Sequence, residues 1–299
     1  MIIINNIQVK YGNQLALSIN EQLVFENGDR IGIIGSNGAG KTTLVKTILG
    51  LTNYKGSIVT DLKPEEIAVH MQHNHYANTM AVKHIIETIL NTSIKKNKML
   101  QDLITFFDFD DSLSKRYSSL SGGQKQRLTL ILVLIQDSPL VFFDEVTSGL
   151  DFETRQRLMT KMGEWYRNKN TTLCIVSHYY EELEQLVNKI LILEEGQVVD
   201  FGNKEELFYR YCGKTVIMIE NNERNEKLTD KFLKLKAPDH LIALSCPSSE
   251  LEKEITEILI KENINYKRSN NDIEIMSINA KAEFMKKKAG GEKNEEKTA

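Results

Sequence analysis

The sequence has only three cysteines, Cys174, Cys212 and Cys246, and they lie far apart. Their odd number and wide spacing offer neither a disulfide framework nor a zinc or redox pair, so free thiols in a reducing compartment are expected. Long apolar runs are missing as well. The longest, Leu130 to Ile135, is far too short to cross a bilayer. The first residues, Met1 to Asn6, show neither the basic n-region nor the apolar stretch of a secretory signal. Nor is there an excess of positive charge. A net charge of -3 and a pI near 6.1 argue against a generally basic nucleic-acid binder, although a local patch stays open. The expectation is a soluble, cytoplasmic chain that reaches any membrane through a partner. Its 299 residues suffice for one large domain or two smaller ones.

What is present is concentrated in a few short stretches. Gly35-Ser36-Asn37-Gly38-Ala39-Gly40-Lys41-Thr42-Thr43 satisfies the phosphate-loop pattern G-x-x-x-x-G-K-[ST]. The apolar run Arg30 to Ile34 before it reads as a buried strand. Leu44, Val45, Ile48 and Leu49 after it suit a helix packed on a sheet. Strand, glycine loop and helix converge backbone N–H groups and a helix N-terminus on one spot, which attracts phosphate. Lys41 is expected to neutralise β- and γ-phosphates and Thr42 to ligate Mg²⁺. These residues predict binding of a nucleoside triphosphate.

Along the chain, Ile2 to Val9 and Leu15 to Ile19 read as strands, and Leu23 to Phe25 as another. Tyr11 falls in the first turn, where an aromatic either stacks on a flat base or is an ordinary loop tyrosine. Ile67 to Met71 is another apolar run, ending at Gln72. From Ala81 to Phe109 the pattern is helical, as in a subdomain inserted between strands. His70, His73 and His75 have no carboxylate or cysteine at ligand spacing, which argues against a metal site there. Ser121, Gly122, Gly123 and Gln124 open a long apolar helix, either as an ordinary N-cap or as a second place for backbone N–H groups to meet an anion.

Leu140 to Phe143 reads as a buried strand that ends in Asp144-Glu145. Ligands in open α/β sheets lie beyond the carboxyl ends of strands, so both acids point to where phosphates belong. Asp144 suits Mg²⁺ and Glu145 suits polarising an attacking water. Ser148 to Asp151 forms the next turn, and Phe152 to Asn168 a helix. Thr171 to Val176 is a strand with Ser177 and His178 at its end, on the same ligand edge. Glu181 to Val187 reads as helix, followed by a hairpin across Glu194-Glu195-Gly196.

The pattern changes beyond Tyr211. Thr215 to Ile219, Leu241 to Cys246 and Asp272 to Ile278 read as strands. A helical segment up to Lys234, and a second helix opened by a Ser249–Glu252 capping box, lie between them. Residues 214 to 280 are thus expected to form a small α+β domain, and residues 286 to 299 a charged, disordered tail.

Taken together, the motifs resemble the nucleotide-binding subunit of ATP-binding cassette (ABC) transporters, over residues 1 to 211 and in that family's order and spacing. Gly35 to Thr43 resembles its Walker A loop, Gln72 its Q-loop, and Leu120 to Gln124 reads LSGGQ, its signature. Leu140 to Asp144 resembles Walker B, with Glu145 at the catalytic-glutamate position. Ser148 to Asp151 matches the D-loop and His178 the switch histidine. Val146 stands where proline is frequent and Gly149 where alanine is; neither change removes a reactive group.

The resemblance implies an α/β fold: a RecA-like P-loop core, an antiparallel β subdomain and a helical subdomain near residues 78 to 136. It implies ATP and Mg²⁺ as cofactors, Tyr11 stacking on adenine, and Gln72 with Thr42 and Asp144 at the metal. His178 is expected at the γ-phosphate. Ser121 and its glycines are expected to reach ATP on an opposite cassette, so that two copies, or a copy and a paralogue, sandwich two nucleotides. A transmembrane permease is the expected partner and holds the chain at the inner face of the membrane; no nucleic acid is expected. The short C-terminal extension and the Asn-, Ile- and Lys-rich composition resemble exporters of drugs or peptides, such as phenol-soluble-modulin exporters. Import is the alternative. A soluble cassette of translation or DNA repair fits less well, since there is one phosphate loop and no long heptad run.

Overall fold

A computed structural model describes residues 1–71 and 76–295. Gln72, His73 and His75 lie outside the described residues, so the roles expected of them have no structural counterpart here. The backbone packs as two units, one of residues 1–33 and 41–178, the other of residues 34–40 and 179–299. This border follows His178, the last of the sequence motifs, and lies before residue 211, where the resemblance ends.

In the first unit, Ile2–Tyr11 (β1) pairs antiparallel with Gln14–Phe25 (β2). The polar stretch Asn20-Glu21-Gln22 suggests a break in β2, yet the strand is continuous there. Gln22 donates to Asn5 Oδ1 at 2.9 Å, and a bulge near Asn6 keeps the buried faces of both strands in register. Lys55–Thr60, named β4 after the strand Arg30–Gly35 (β3), pairs with the other edge of β1. It escapes sequence reading because most of its residues are exposed.

Ile67–His70 (β5), Leu140–Asp144 (β6) and Thr172–Val176 (β7) run parallel, in the spatial order β5-β6-β7, with β3 beyond β7. All five residues of β6 and all five of β7 are buried. Such continuous apolar strands are what a parallel sheet covered on both faces requires. Helix Lys41–Ile48 (α1) follows the phosphate loop. The inserted helical segment comprises Val82–Ile89 (α2) and Lys98–Phe106 (α3), then Gly122–Leu134 (α4), which packs against α3 and β5. Phe152–Tyr166 (α5) completes this unit.

In the second unit, Tyr180–Leu186 (α6) leads to the hairpin Lys189–Glu194 (β8) and Gln197–Asn203 (β9), then Lys204–Cys212 (α7). A separate four-stranded sheet has the order β11-β12-β10-β13. Its strands are Thr215–Glu220 (β10), Lys234–Leu235 (β11), Leu241–Cys246 (β12) and Tyr266–Ser269 (β13). The helix expected up to Lys234 is the single short element Glu223–Leu228 (α8). Ser249–Lys261 (α9) covers the sheet through Ile255 and Leu259, which are fully buried with Ile217, Leu244 and Cys246. Its N-cap is Ser248, whose Oγ accepts from Leu251 N; Glu252 bonds Thr215 and Arg268 instead of closing a capping box with Ser249.

The last segment differs most from the sequence reading. Residues 272 to 278 are not a strand: Ile273–Glu295 is one long helix (α10). Asp272 caps it, its Oδ1 accepting from Ile275 N at 2.9 Å. The alternation Ile273-Glu274-Ile275 imitates a strand, but Ile273, Met276, Ser277 and Ala280 are buried at helical spacing. α10 lies against α6, α7 and β9. It also runs through the start of the expected disordered tail, where Lys287 pairs with Glu283 one turn back and Lys288 with Glu195 of the hairpin.

Among the described residues, no helix is long and apolar enough to cross a membrane.

Candidate nucleotide site

The phosphate loop turns sharply. Ala39 N donates to Ser36 O at 3.0 Å, and Gly38 has φ +81°, a conformation that an L side chain resists. Gly35 is required for a different reason: a Cβ there would lie 2.3 Å from the Leu193 carbonyl oxygen of β8. Ser36, Asn37 and Gly38 are exposed, while Ala39 and Gly40 are buried.

Lys41 and Thr42 begin α1. The Thr42 hydroxyl donates to Asp144 Oδ2 at 3.1 Å, joining the start of α1 to the carboxyl end of β6. Asp144 is 1% exposed. Burial pushes its carboxyl above the usual range; the Thr42 hydrogen bond opposes this, the neighbouring Glu145 charge adds to it, and Lys41 favours the charged form. A hydroxyl and a buried carboxylate side by side are hard oxygen donors that suit Mg²⁺. No group of three or more His, Cys, Asp or Glu capable of holding a metal occurs among the described residues. Mg²⁺ needs no such cage, because it keeps waters and takes phosphate oxygens as ligands.

Glu145, the next residue, has φ +50°, rare for a side chain of this kind. Its N–H donates to Val176 O at 2.9 Å, and its carbonyl accepts from Ser148 N at 3.0 Å. These bonds to β7 and to the following turn hold the unusual conformation in place. Its carboxylate Oε1 lies 2.9 Å from His178 Nε2. Two residues read separately from the sequence are therefore one interacting pair.

The remaining predicted residues occupy helix starts and one turn. Ser121 caps α4: its Oγ accepts from Gln124 N at 3.3 Å, while Gln124 Oε1 accepts from Ser121 N at 3.0 Å. Gln124 Nε2 also donates to Ser112 Oγ at 3.0 Å. Gly122 and Gly123 form the first turn of α4. Asp151 caps α5 by accepting from Thr154 N and Thr154 Oγ1. Those bonds hold its carboxyl below the ordinary range. Tyr11 ends β1 and is 49% exposed. His70, in contrast, is fully buried, its Nε2 paired with Gln126 Oε1 at 3.0 Å.

A family model described as ABC transporter matches residues 20–148. The thiamine import ATP-binding protein ThiQ of Shigella flexneri is 30% identical over 215 residues, which cover 68% of this chain and 93% of that protein. The chain belongs to the ATP-binding cassette family. As a member it binds ATP and is an ATPase. The methionine import ATP-binding protein MetN of Clostridioides difficile is 28% identical, covering 70% of this cassette and 71% of MetN. Solved structures agree in fold. A dimeric post-hydrolysis cassette, MJ0796 with ADP and Pi, has TM-score 0.60 at 20% identity, covering 68% of this cassette and 98% of that chain. CbiO1 from Clostridium perfringens, described as part of the cbiONQ transporter complex, has TM-score 0.60 at 23% identity, covering 69% of this cassette and 90% of that chain.

Two contacts to Ser36 escaped sequence reading, one with Glu194 and one with Lys281. Lys281 of α10 donates to Ser36 Oγ at 3.1 Å. Nothing local around Lys281, which falls between the expected strand and the expected tail, signals the second of these.

Proposed function

We propose that this cassette hydrolyses ATP to drive a separate transmembrane subunit, through ATP-dependent pairing with a second cassette. The observation that carries this reading is the pair of carboxylates at the end of β6. Asp144 is tied to Thr42 of α1, and Glu145 is tied to His178. Their division of labour follows from their surroundings. Asp144 is buried beside a hydroxyl and near Lys41, which suits a metal-holding role with Thr42. Glu145 is more accessible and is oriented by an imidazole, which suits accepting a proton from an attacking water.

Lys41 and the loop N–H groups from Gly35 to Gly40 bind the phosphates. Mg²⁺ held by Thr42 and Asp144 supplies neutralisation of the phosphate charge when bound. His178 fixes the Glu145 carboxylate, limiting the orientations from which it must be recruited. Tyr11, exposed at the end of β1, supplies an aromatic face for adenine. Ser121 to Gln124, at an exposed helix start, contact the ATP held by the opposite cassette. The dimeric form of MJ0796 supports this last reading. Membrane association through a permease rests on the same family membership.

For direction, ThiQ and MetN are import proteins by name, as is the sulfate/thiosulfate protein CysA of Chlorella vulgaris. They favour the importer alternative, and none of these three supports export of drugs or peptides. The test is co-purification of the tagged chain from its native membrane, with ATPase activity measured in the complex. A polytopic membrane protein that couples transported solute to hydrolysis is the expected result. Recovery on ribosomes or DNA instead would reject the transport reading.

A further inference from the structure

The second unit brings three side chains together on the phosphate loop. Lys281 Nζ lies 2.9 Å from Glu194 Oε2 and 3.1 Å from Ser36 Oγ. Ser36 Oγ itself donates to Glu194 Oε2 at 2.9 Å. The hydroxyl thus donates once and accepts once, closing a triangle. Lys281 and Glu194 side chains are only 19% and 16% exposed, so solvent screens them weakly. Next to this triangle, Ile278, Ala282, Met285 and Ala289 of α10 line an open groove together with Glu194 and Lys236.

We propose that Lys281, a residue of the C-terminal extension, positions the phosphate loop for ATP by neutralising Glu194. The argument is electrostatic. Glu194 ends β8 and holds Ser36 in the exposed part of the loop. Burial raises its carboxyl, yet bonds from Lys281, the Ser36 hydroxyl and the Ser36 backbone N–H outweigh this and hold it below the usual range, so it is ionised at neutral pH. An ionised carboxylate on a loop N–H competes for a group that phosphate needs, and repels the phosphates themselves. Lys281 cancels that charge from a helix absent from the motif-bearing part of the chain. The α+β extension is in this way part of the nucleotide site. Lys281 touches no reacting atom and acts through Ser36 and Glu194.

This inference rests on the reading of Gly35–Thr43 as the ATP loop. In the full-length chain, Lys281→Met, which keeps the stem, is expected to raise the KM and the Kd for ATP about fivefold while kcat stays within about twofold. Lys281→Arg should restore both constants. Glu194→Gln combined with Lys281→Met should return KM toward the wild-type value, because the uncompensated charge is gone. Lys288→Ala, which breaks the neighbouring pair with Glu195, should leave KM unchanged. An unaltered KM in Lys281→Met, or a double variant whose KM is as high as the single one, would overturn the proposal. Absence of ATP binding by the wild-type chain would overturn the loop reading and this inference with it.

Discussion

The Thr42 hydroxyl donates to Asp144 Oδ2 across 3.1 Å, so a carboxylate that is 1% exposed has a neutral partner ready beside it. Burial already raises that carboxyl, so its charge costs the nucleotide-free fold at neutral pH. Asp144→Asn removes the charge and keeps the shape. The nucleotide-free variant should melt higher than wild type at pH 7, and should lose the rise in melting temperature that Mg²⁺ with ATP gives the wild type. A lower melting temperature with the ligand-induced rise intact would contradict the metal role.

Lys41 is 7% exposed at the first position of α1. Lys41→Ala should weaken ATP binding itself, by tenfold or about that, since an ammonium contact to phosphate is charge-assisted. Calorimetric titration with ATP measures this directly, and an unchanged Kd would remove Lys41 from the phosphate contact.

His70 is buried, and burial lowers its pKa to about 4, against an ordinary value of 6.5, although hydrogen bonds with Gln126 Oε1 and with the backbone favour the charged form. Its folded pKa lies below the unfolded one, so its contribution to stability is fully present above pH 6.5 and is lost as pH falls toward 4. His70→Gln should therefore flatten the loss of stability across that window. Urea denaturation at a series of pH values measures the slope.

How much of this was legible in sequence depends on how local each signal is. The phosphate loop, the LSGGQ cap and the Asp144-Glu145 end of β6 each need a handful of consecutive residues, and the structure has each as a loop, a helix start or a strand end. Pairings across the chain were not legible. Thr42 with Asp144 and Glu145 with His178 join residues brought close only by the parallel order of β3, β7 and β6. The C-terminal part was least legible, because Ile273-Glu274-Ile275 fits a two-residue period locally while α10 buries a three-to-four-residue stripe. Ser248 rather than Ser249 caps α9 because Glu252 is drawn to Arg268 and Thr215, contacts that only the folded sheet supplies.

All three cysteines are buried and free. Burial pushes the Cys212 thiol up to about 12, and raises Cys174 and Cys246 as well. Thiolate is the reactive form, so the native chain should resist a thiol reagent at pH 8, while the denatured chain should titrate all three. Rapid labelling of the native protein would contradict the packing of β7, α7 and β12.

The central claim is that Glu145, which has a left-handed backbone conformation and a carboxylate held by His178, activates the water that attacks ATP. Glu145→Gln keeps the size and hydrogen-bonding reach of the side chain but removes its basicity. ATP turnover by this variant is the most direct measurement, taken together with its size in solution with and without ATP. The expected result is a fall of about 10²–10⁴-fold in kcat, with ATP still bound and an ATP-dependent dimer accumulating. Near-normal turnover would show that the proton goes elsewhere.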